Sequence, residues 1–597
     1  MREANQVLGI IQERGKRGLP LEDLYRQLYN PTLYLKAYGK IYRNDGAMTP
    51  GATTETVDAM SLSKIGAIIE ALRYERYRWT PVRRMYIEKP NSTNLRPLGL
   101  PSWSDKLLQE VMRSLLEAYY EPQFSPLSHG FRPGRGCHTA LTEIYYKWIG
   151  TKWFVEGDIA QCFDSLNHEV MLSILREHIH DGRFLRLIET LLQAGYLEDW
   201  RYHATVSGSP QGGILSPILS NIYLDKLDKF VETELLPTYT RGTRRRVNAP
   251  YGYLQGRASR LRKLGQWEEV QHLRRQMQQL PSLDPTDPDY RRIHYLRYAD
   301  DWLVGFSGPR SEAEEIKHRI GEFLHDKLKL TLSETKTLIT HARTEAAKFL
   351  GYEIVVFNND YKHDWRGHRS INGQIGLKVP MRVIRAKCLP FLSRGKPIHR
   401  KERTEDTVYS IIVQFQQEYR GLVEYYQLAV NRYQLNRLKW VMERSLISTL
   451  AHKLRISMSE VYDRYETAIE TPDGLRKVLQ VTVERGEGKK PLVARWGGIS
   501  LARDMKAILN DVPPIVWSQR SELEKRLLAN TCELCGSREH VQVHHIRALK
   551  DLQRKGQGER PKWVSIMAAR RRKTLIVCQH CHHDIHTGRA NGYRAMD

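Results

Sequence analysis

The sequence lacks any long apolar run. No segment reaches about 18 consecutive apolar residues, the length that a membrane-spanning helix requires, so we expect no transmembrane helix. The amino terminus also lacks a charged segment followed by an apolar one, which argues against a secretory signal. Cysteine is scarce, with seven in 597 residues, and that odd number does not suit a secreted disulfide scaffold.

Acidic residues are too few to balance the basic ones. The chain has 93 Lys plus Arg against 68 Asp plus Glu, which gives a net charge of +25. Such an excess predicts a polyanionic partner, most simply a nucleic acid, although a solvated basic surface is the plainer alternative. The length exceeds what one hydrophobic core supports, so we expect several domains.

Two adjacent acids stand in an apolar stretch at Tyr298-Ala299-Asp300-Asp301. Apolar and aromatic residues on both sides predict a strand, a tight turn that carries the acids, and a second strand. Another short apolar strand ends in Asp158. Unpaired carboxylates are costly to desolvate, and hard divalent ions prefer oxygen ligands. The alternative is a hairpin whose acids merely favour the turn.

With these acids the chain resembles the reverse transcriptases, and with the motifs below it resembles the group II intron-encoded proteins. The resemblance makes Asp158, Asp300 and Asp301 the catalytic residues of a polymerase. It also implies that these three acids and Ile159 bind two Mg²⁺ ions.

The implied fold is an α+β multidomain protein. It comprises the fingers and palm of a right-hand polymerase, a helical thumb (domain X), a small DNA-binding region, and a ββα-metal H-N-H nuclease with zinc-binding cysteines. The expected bounds are 1–85 for an amino-terminal extension and the start of the fingers, 86–376 for fingers and palm, 377–480 for the thumb, 481–528 for the DNA-binding region and 529–597 for the nuclease. A basic insertion is expected at about 237–297.

The resemblance assigns five residues to substrate binding. Lys89 and Arg96, on a predicted β-hairpin, would grip the incoming triphosphate. Phe163 would collide with a ribose 2′-hydroxyl and so select deoxynucleotides. Gln211, within a Pro-Gln-Gly block, would lie beside the nucleotide, and Lys336 would lie near the triphosphate. From the sequence alone, the basic pair could be exposed surface and Phe163 a core residue.

Two further segments are interpreted as nucleic-acid contacts. Residues 128–136 combine glycine with arginine, and the resemblance makes them a template-strand contact; an ordinary loop is the alternative. Residues 420–437 interleave basic and aromatic side chains, which suits RNA through phosphate pairing and base stacking. A helical bundle with amphipathic arginines would show the same pattern.

Cysteines cluster near the carboxyl terminus. Two Cys-x-x-Cys pairs, Cys532 with Cys535 and Cys578 with Cys581, supply four thiolates for a tetrahedral Zn²⁺ site. The 42 residues between the pairs exceed the usual zinc-ribbon spacing, so we expect an inserted segment.

Histidines accompany these cysteines. His582 and His586 are spaced to share one face of a helix, as metal ligands do. The segment resembles the H-N-H nucleases, whose ββα unit binds one divalent metal ion. The resemblance makes His544, His582 and His586 the ligands of that ion and His545 the general base. No asparagine stands near residues 573–574, where the family motif has one. A structural zinc knuckle that binds DNA is the alternative.

The resemblance implies three activities: RNA-directed DNA polymerase, maturase support of RNA splicing, and nicking of target DNA for target-primed reverse transcription (retrohoming). The implied partners are group II intron RNA, target DNA and dNTPs, with one protein per intron RNA in a ribonucleoprotein and no membrane. The implied location is the bacterial cytoplasm, in association with the nucleoid, or an organellar matrix. The alternatives are an RNA-binding splicing factor without polymerase activity and a reverse transcriptase of a non-intron lineage.

Overall fold

The amino-terminal region is largely helical in the computed structural model. The model describes residues 2–44, 46–88, 95–199, 201–205, 208, 213–359, 361–365, 369–472, 474–485, 490–509, 521–552, 561–570 and 572–588. The first elements are α1 (Ala4–Lys16), α2 (Leu24–Gln27), α3 (Pro31–Ile41), β1 (Met60–Ser61) and α4 (Leu62–Arg73). Helix α4 begins where the Ser61 side chain accepts a hydrogen bond from the Lys64 amide.

A mixed layer of strands and helices follows. It contains β2 (Val82–Glu88), β3 (Leu95–Leu100), α5 (Trp103–Tyr120), α6 (Cys137–Lys147), β4 (Trp153–Asp158), α7 (Cys162–Ser165), α8 (His168–Arg176), α9 (Gly182–Leu192), β5 (Tyr196–Glu198), β6 (Arg201–His203), α10 (Ser216–Phe230) and α11 (Leu236–Thr238). Strands β2 and β3 pair in antiparallel fashion, as the sequence predicts for the hairpin that bears Arg96.

The strand that ends in Tyr298 belongs to the next group of elements. These are α12 (Ala249–Lys263), α13 (Trp267–Gln279), β7 (Arg292–Tyr298), β8 (Asp301–Ser307), α14 (Arg310–Leu328), β9 (Leu338–His341), β10 (Ala347–Phe349), β11 (Tyr352–Val356) and β12 (Ile375–Lys378). The order β7-β8-β4-β9 defines the sheet that carries the acidic turn. Strand β7 begins at Arg292, so the last residues of the insertion expected at about 237–297 belong to this strand.

The following region is helical at first and ends in a sheet. It contains α15 (Met381–Cys388), β13 (Leu392–Ser393), β14 (Lys396–Pro397), α16 (Val408–Tyr425), α17 (Asn436–Leu454), α18 (Met458–Tyr465), β15 (Glu466–Thr471), β16 (Gly474–Val483) and β17 (Leu492–Gly497). Residue 480 lies within β16, which pairs with β15 on one side and β17 on the other. The sheet therefore extends across the domain boundary expected at 480.

The carboxyl-terminal region contains α19 (Glu522–Leu528), β18 (Val541–His545), α20 (Lys562–Arg570), β19 (Thr574–Cys578) and α21 (Gln579–Thr587). Strands β18 and β19 pair in antiparallel fashion, and β1 from the amino-terminal region pairs with the other edge of β18. The side chains of Val543 and Ile576 join the same hydrophobic cluster as the amino-terminal helices, whereas Leu575 and Val577 pack on α20 and α21.

The whole chain is thus a mixed α+β multidomain protein, as the sequence predicts. No helix in the described ranges is long and apolar enough to cross a membrane.

Candidate functional site

A tight turn brings the two adjacent acids to the end of the central sheet. Tyr298 pairs with Asp301, which leaves only Ala299 and Asp300 in the loop. Ala299 adopts a left-handed backbone conformation with φ of 57°, as a two-residue hairpin loop requires. On the other side of β8, Asp158 stands directly opposite Asp301. The register of three strands therefore gathers the three predicted acids at one end of the sheet.

A neighbouring backbone segment packs directly against this turn. Ser128 forms a parallel bridge with Arg297, and the His129 amide donates to the Arg297 carbonyl at 2.9 Å. A Cβ atom at Gly130 would lie 2.3 Å from the Ala299 nitrogen, so only glycine fits this approach. The glycine in this block thus supports the turn by letting two backbones meet.

A fully buried ion pair lies beneath the turn. Arg297 and Asp228 are both 0 % exposed, and Arg297 Nη2 lies 2.6 Å from Asp228 Oδ2. Arg297 also donates to the Ala299 carbonyl at 2.7 Å and to Asn221 Oδ1 at 3.2 Å. The Tyr295 hydroxyl donates to Asp228 at 2.8 Å. This network connects the turn to helix α10.

The acidic cluster is short of positive charge. Burial, and then the negative charges of Asp300 and Asp158, raise the pKa of Asp301 to about 7. Burial and the charge of Asp158 also raise the pKa of Asp300. In the described part of the chain, the base within ion-pair distance of these acids is Lys336, whose Nζ lies 2.8 Å from Asp158 Oδ2. Crowded carboxylates with one counter-ion fit a cation-binding site.

The three carboxylates do not converge on one point. Among the described residues, the groups whose ligand atoms all lie within 4.8 Å of one another are the four cysteines and a set of three histidines with Asp58, not these acids. Ile159 is 2 % exposed and its side chain is apolar, so its backbone carbonyl is the only oxygen it can offer.

The predicted substrate residues that are described lie around these acids. Arg96, on β3, is close enough to lower the pKa of Asp300 by its charge. Phe163 is half-buried in α7 and meets Phe131 edge to face, with ring centroids 6.4 Å apart. Phe131 itself is 41 % exposed. Lys89 and Gln211 lie outside the described residues.

Two arginines in the segments predicted to contact nucleic acid form hydrogen bonds inside the fold instead. Arg132, in the block at residues 128–136, is 4 % exposed and bonds to Glu121 and to the carbonyl of Ser128. Arg432 is 3 % exposed and donates to the carbonyls of Ala502 and Ser500. Both guanidinium groups are used within the fold, so neither is offered to a phosphate.

The carboxyl-terminal strands and α21 form a ββα unit around the four cysteines. Cys532, Cys535, Cys578 and Cys581 place their sulfur atoms within 4.8 Å of one another. Cys535 and Cys578 are 3.7 Å apart at sulfur, close to the ~3.8 Å that tetrahedral geometry with ~2.3 Å zinc–sulfur bonds gives. The four thiols therefore fit a zinc ion.

Three histidines converge beside the cysteines. His582 Nε2 lies 3.1 Å from both His544 Nδ1 and His586 Nε2. These are the histidines that the resemblance assigns to the nuclease metal. A fourth group, the carboxylate of Asp58, lies within 4.8 Å of all three. Burial lowers the pKa of His544 to about 4, which favours the neutral, ligating form.

His545 points away from this cluster and into the amino-terminal helices. It is 5 % exposed, and its Nε2 shares a hydrogen bond of 2.8 Å with the Tyr38 hydroxyl. Burial lowers its pKa to about 3. Thr574 is the residue directly opposite His545 in the sheet, near the position of the missing asparagine. His540 and His583 are exposed.

Sequence reasoning missed Arg297, Asp228, Asp58 and Tyr38. A usable signal existed for Arg297: it alternates with Ile293 and Tyr295 on the buried face of the strand, where an arginine needs a partner. No local pattern singles out Asp58 or Tyr38, because their contacts join residues about 500 positions apart in the chain.

Three family models match consecutive parts of the chain. Residues 87–354 match the family "Reverse transcriptase (RNA-dependent DNA polymerase)", and residues 373–485 match "Type II intron maturase". Residues 532–582 match "AI2M/AI1M-like, HNH endonuclease".

Similar proteins cover almost the whole chain. The Group II intron-encoded protein LtrA of Lactococcus lactis subsp. cremoris is 38% identical over 585 residues, which span 94% of this chain and 95% of that protein. An uncharacterized 91 kDa protein in a cob intron of Schizosaccharomyces pombe is 33% identical, over 95% of this chain and 70% of that protein. A putative COX1/OXI3 intron 2 protein of Saccharomyces cerevisiae is 29% identical, over 94% of this chain and 65% of that protein.

Proposed function

This chain belongs to the group II intron-encoded proteins and has reverse transcriptase, maturase and HNH endonuclease domains, and from that premise we propose how each domain works. The polymerase copies RNA into DNA at the acidic turn. The observation that carries this proposal is the register of Asp158 opposite Asp301, with Asp300 in the turn between β7 and β8.

Asp158, Asp300, Asp301 and the carbonyl of Ile159 would hold two Mg²⁺ ions. Bound there, the ions would stabilise the attacking and leaving oxygens of nucleotidyl transfer. Lys336 would bind the triphosphate and give a proton to the departing pyrophosphate, and its contact with Asp158 supports this role. The crowding of carboxylates with one protein cation supports this assignment.

Four other residues bind the incoming nucleotide. Lys89 and Arg96 would neutralise the triphosphate, and Gln211 would contact the base and sugar. Phe163 excludes the ribose 2′-hydroxyl. Its half-buried position on α7, in contact with exposed Phe131 and outside the hydrophobic clusters, supports a substrate-facing role over a core role.

The domains take the arrangement of a right-hand polymerase with a nuclease appended. Residues 1–85 form the extension and the start of the fingers, and 86–376 form fingers and palm. Residues 377–480 form the helical thumb, domain X, and 481–528 form the DNA-binding region. The sheet of β15, β16 and β17 is shared by the two and ends at Gly497. Residues 529–597 form the nuclease.

A basic cleft between the insertion and the polymerase supports RNA binding. The cleft has a volume of about 1090 Å³ and is lined by no acidic residue among those described. The lining arginines come from the insertion and from segments near β9 and β12: Arg244, Arg262, Arg274, Arg343 and Arg369. Arginines in a cleft that has no acidic lining residue among those described suit phosphates, so we assign this cleft to intron RNA.

The maturase region presents a second RNA surface. Tyr433 and Trp440 are 65 % and 56 % exposed, and Arg437 between them is also exposed. Exposed aromatic rings beside a guanidinium group suit unstacked RNA bases and phosphates. This surface would hold the intron RNA while the RNA itself performs the splicing chemistry.

The nuclease uses a divalent metal ion bound by His544, His582 and His586, which would polarise the scissile phosphate. His545 would activate the attacking water as general base. A zinc ion on the four cysteines would hold the ββα unit together. Tetrahedral spacing of the thiols supports that role.

The proposed cycle is retrohoming. One protein binds one intron RNA, assists its splicing, and carries it to target DNA. The RNA inserts into one strand, the nuclease nicks the other, and the new 3′ end primes cDNA synthesis from dNTPs. The setting is the bacterial cytoplasm, with the nucleoid, or an organellar matrix.

Primer extension on an RNA template with Mg²⁺ tests the polymerase proposal. Wild type should extend the primer with dNTPs, and Asp300→Ala should abolish extension. Asp326→Ala removes a carboxylate of α14 that is exposed to solvent and should leave extension unchanged. Extension by Asp300→Ala at the wild-type rate would refute the proposal. No extension by folded wild type would favour a splicing factor without polymerase activity.

A further inference from the structure

The carboxylate of Asp58 enters the histidine cluster from the opposite end of the chain. Its Oδ2 lies 2.8 Å from His586 Nε2, and its Oδ1 lies 3.2 Å from His582 Nε2 and 3.6 Å from His544 Nδ1. The His545 amide also donates to Asp58 Oδ1 at 2.7 Å. Asp58 thus brings a carboxylate, 15 % exposed, into contact with the three imidazoles.

These spacings are close to those of a tetrahedral ligand shell. Bonds of ~2.0–2.1 Å to nitrogen or oxygen place tetrahedral ligands ~3.3 Å apart. His582 Nε2 lies 3.1 Å from the nitrogen atoms of His544 and His586. Asp58 lies 2.8 Å from His586 through Oδ2, and 3.2 Å from His582 and 3.6 Å from His544 through Oδ1. One atom from each of the four groups lies within 4.8 Å of the other three. Three imidazoles and one carboxylate thus form a complete set of four.

We propose that Asp58 is a fourth protein ligand of the nuclease metal ion and that it closes the site, so that the nuclease is inactive while docked on the amino-terminal region. The proposal rests on the nuclease metal site proposed above. A catalytic metal site keeps one position open for water or substrate, whereas a site with four protein ligands is closed. Asp58 occupies the position that a scissile phosphate needs.

The contacts around His545 also support an inactive nuclease. The Tyr38 hydroxyl shares a hydrogen bond with His545 Nε2, and the His545 amide donates to Asp58 Oδ1 at 2.7 Å. Strand β1 pairs Met60 with Val543 along the edge of the same strand. A base that is buried and hydrogen-bonded to a tyrosine cannot reach a water molecule next to DNA.

The metal position opens when Asp58 leaves it, and few contacts hold the Asp58 loop to the nuclease. The pairing of β1 with β18 involves two residues, and Asp58 stands in a loop just before it, next to Ala59 with φ of 61°. A DNA phosphate that replaces the Asp58 carboxylate would restore the open position. The nuclease would then respond to DNA placed against this face.

The test measures metal binding by the full-length protein, with zinc loaded on the four cysteines and Co²⁺ as the probe. Asp58→Asn should weaken Co²⁺ binding about ten-fold or more, whereas Glu70→Gln, an exposed carboxylate on nearby α4, should not. His582→Ala should abolish the same binding. If His582→Ala loses Co²⁺ binding and Asp58→Asn keeps it, the role of Asp58 is wrong but the nuclease metal site stands. If both variants keep Co²⁺ binding, the proposed nuclease metal site is wrong as well.

Inorganic phosphate tests closure directly, with wild type compared with Asp58→Ala. If the site is closed, phosphate leaves the visible Co²⁺ spectrum of wild type unchanged. In Asp58→Ala, which frees one position, phosphate should shift the spectrum. A shift in wild type equal to that in Asp58→Ala would show an open site and refute the proposal.

Discussion

Removal of Asp228 should damage the polymerase although the residue contacts no substrate. Arg297 is 0 % exposed and donates to both carboxylate oxygens of Asp228, through Nε at 2.8 Å and Nη2 at 2.6 Å. Asp228→Ala leaves the guanidinium group buried without its counter-ion, which costs about 3–5 kcal/mol. The Tyr295 hydroxyl loses its acceptor at the same time.

The effect should reach the acidic turn through Arg297. This side chain also donates to the Ala299 carbonyl inside the turn, so an unpaired Arg297 that moves will displace the turn. A shift on the order of 1 Å at a catalytic group lowers the rate on the order of 100-fold. We therefore expect Asp228→Ala to lower the melting temperature by roughly 5–8 °C and primer extension on the order of 100-fold.

A surface ion pair on the same helix provides the control. Lys226 and Glu177 are 2.5 Å apart, but their side chains are 35% and 46% exposed, so Lys226→Ala should cost at most about 1 kcal/mol. Thermal unfolding and single-turnover primer extension measure both variants. If Asp228→Ala has the melting temperature and the primer-extension rate of wild type, the buried pair does not have the role that we assign to it.

Three further variants test other parts of the structure. Phe163→Val should lower the preference for dNTPs over rNTPs about ten-fold or more, measured by kcat/KM for each; an unchanged ratio would return Phe163 to a packing role. Cys578→Ser should abolish zinc binding in a metal assay while primer extension persists, and retained zinc would exclude the four-cysteine site. Burial, with the charge of Asp228, raises the pKa of Asp225 from 3.8 to about 6, so ionisation destabilises the fold as pH rises through that range. The difference in melting temperature between Asp225→Asn and wild type should accordingly grow in favour of the variant as the pH rises from 3.8 to about 6, and then level off. A difference that does not change with pH would contradict the raised pKa of Asp225.

The acidic turn was predictable because its signal is local. Apolar strands on both sides of Asp300 and Asp301 define the hairpin, and a tight turn leaves no other place for the acids. The predicted hairpin of β2 and β3 also forms. Both hairpins join strands that are close together in the chain, so neither depends on contacts between distant segments.

Contacts between distant segments were not predictable from the same evidence. Asp228 pairs with Arg297 across 69 positions, and Asp58 meets His586 across 528. An acidic residue in a helix or a loop is compatible with many local environments. The local sequence therefore does not identify its partner, which the fold determines. The interpretation of Arg132 and Arg432 as nucleic-acid contacts rested on local pattern, and burial in the folded chain assigns both to internal hydrogen bonds.

The boundary expected at residue 480 illustrates a third limit. Strand β16 has exposed residues at both ends and buried ones in the middle, so it shows no clean alternation along its length. Its pairing with β15 and β17 stabilises it instead. A boundary drawn from the change in sequence character therefore falls inside a sheet.

Target-primed reverse transcription with the purified protein, its intron RNA and a target DNA duplex tests the central claim most directly. Asp300→Ala should nick the target strand and make no cDNA. His545→Ala should leave that strand intact and make no target-primed cDNA, yet extend a supplied primer as wild type does. Target-primed cDNA from Asp300→Ala, or full nicking by His545→Ala, would contradict the assignment of two separate active sites to this chain.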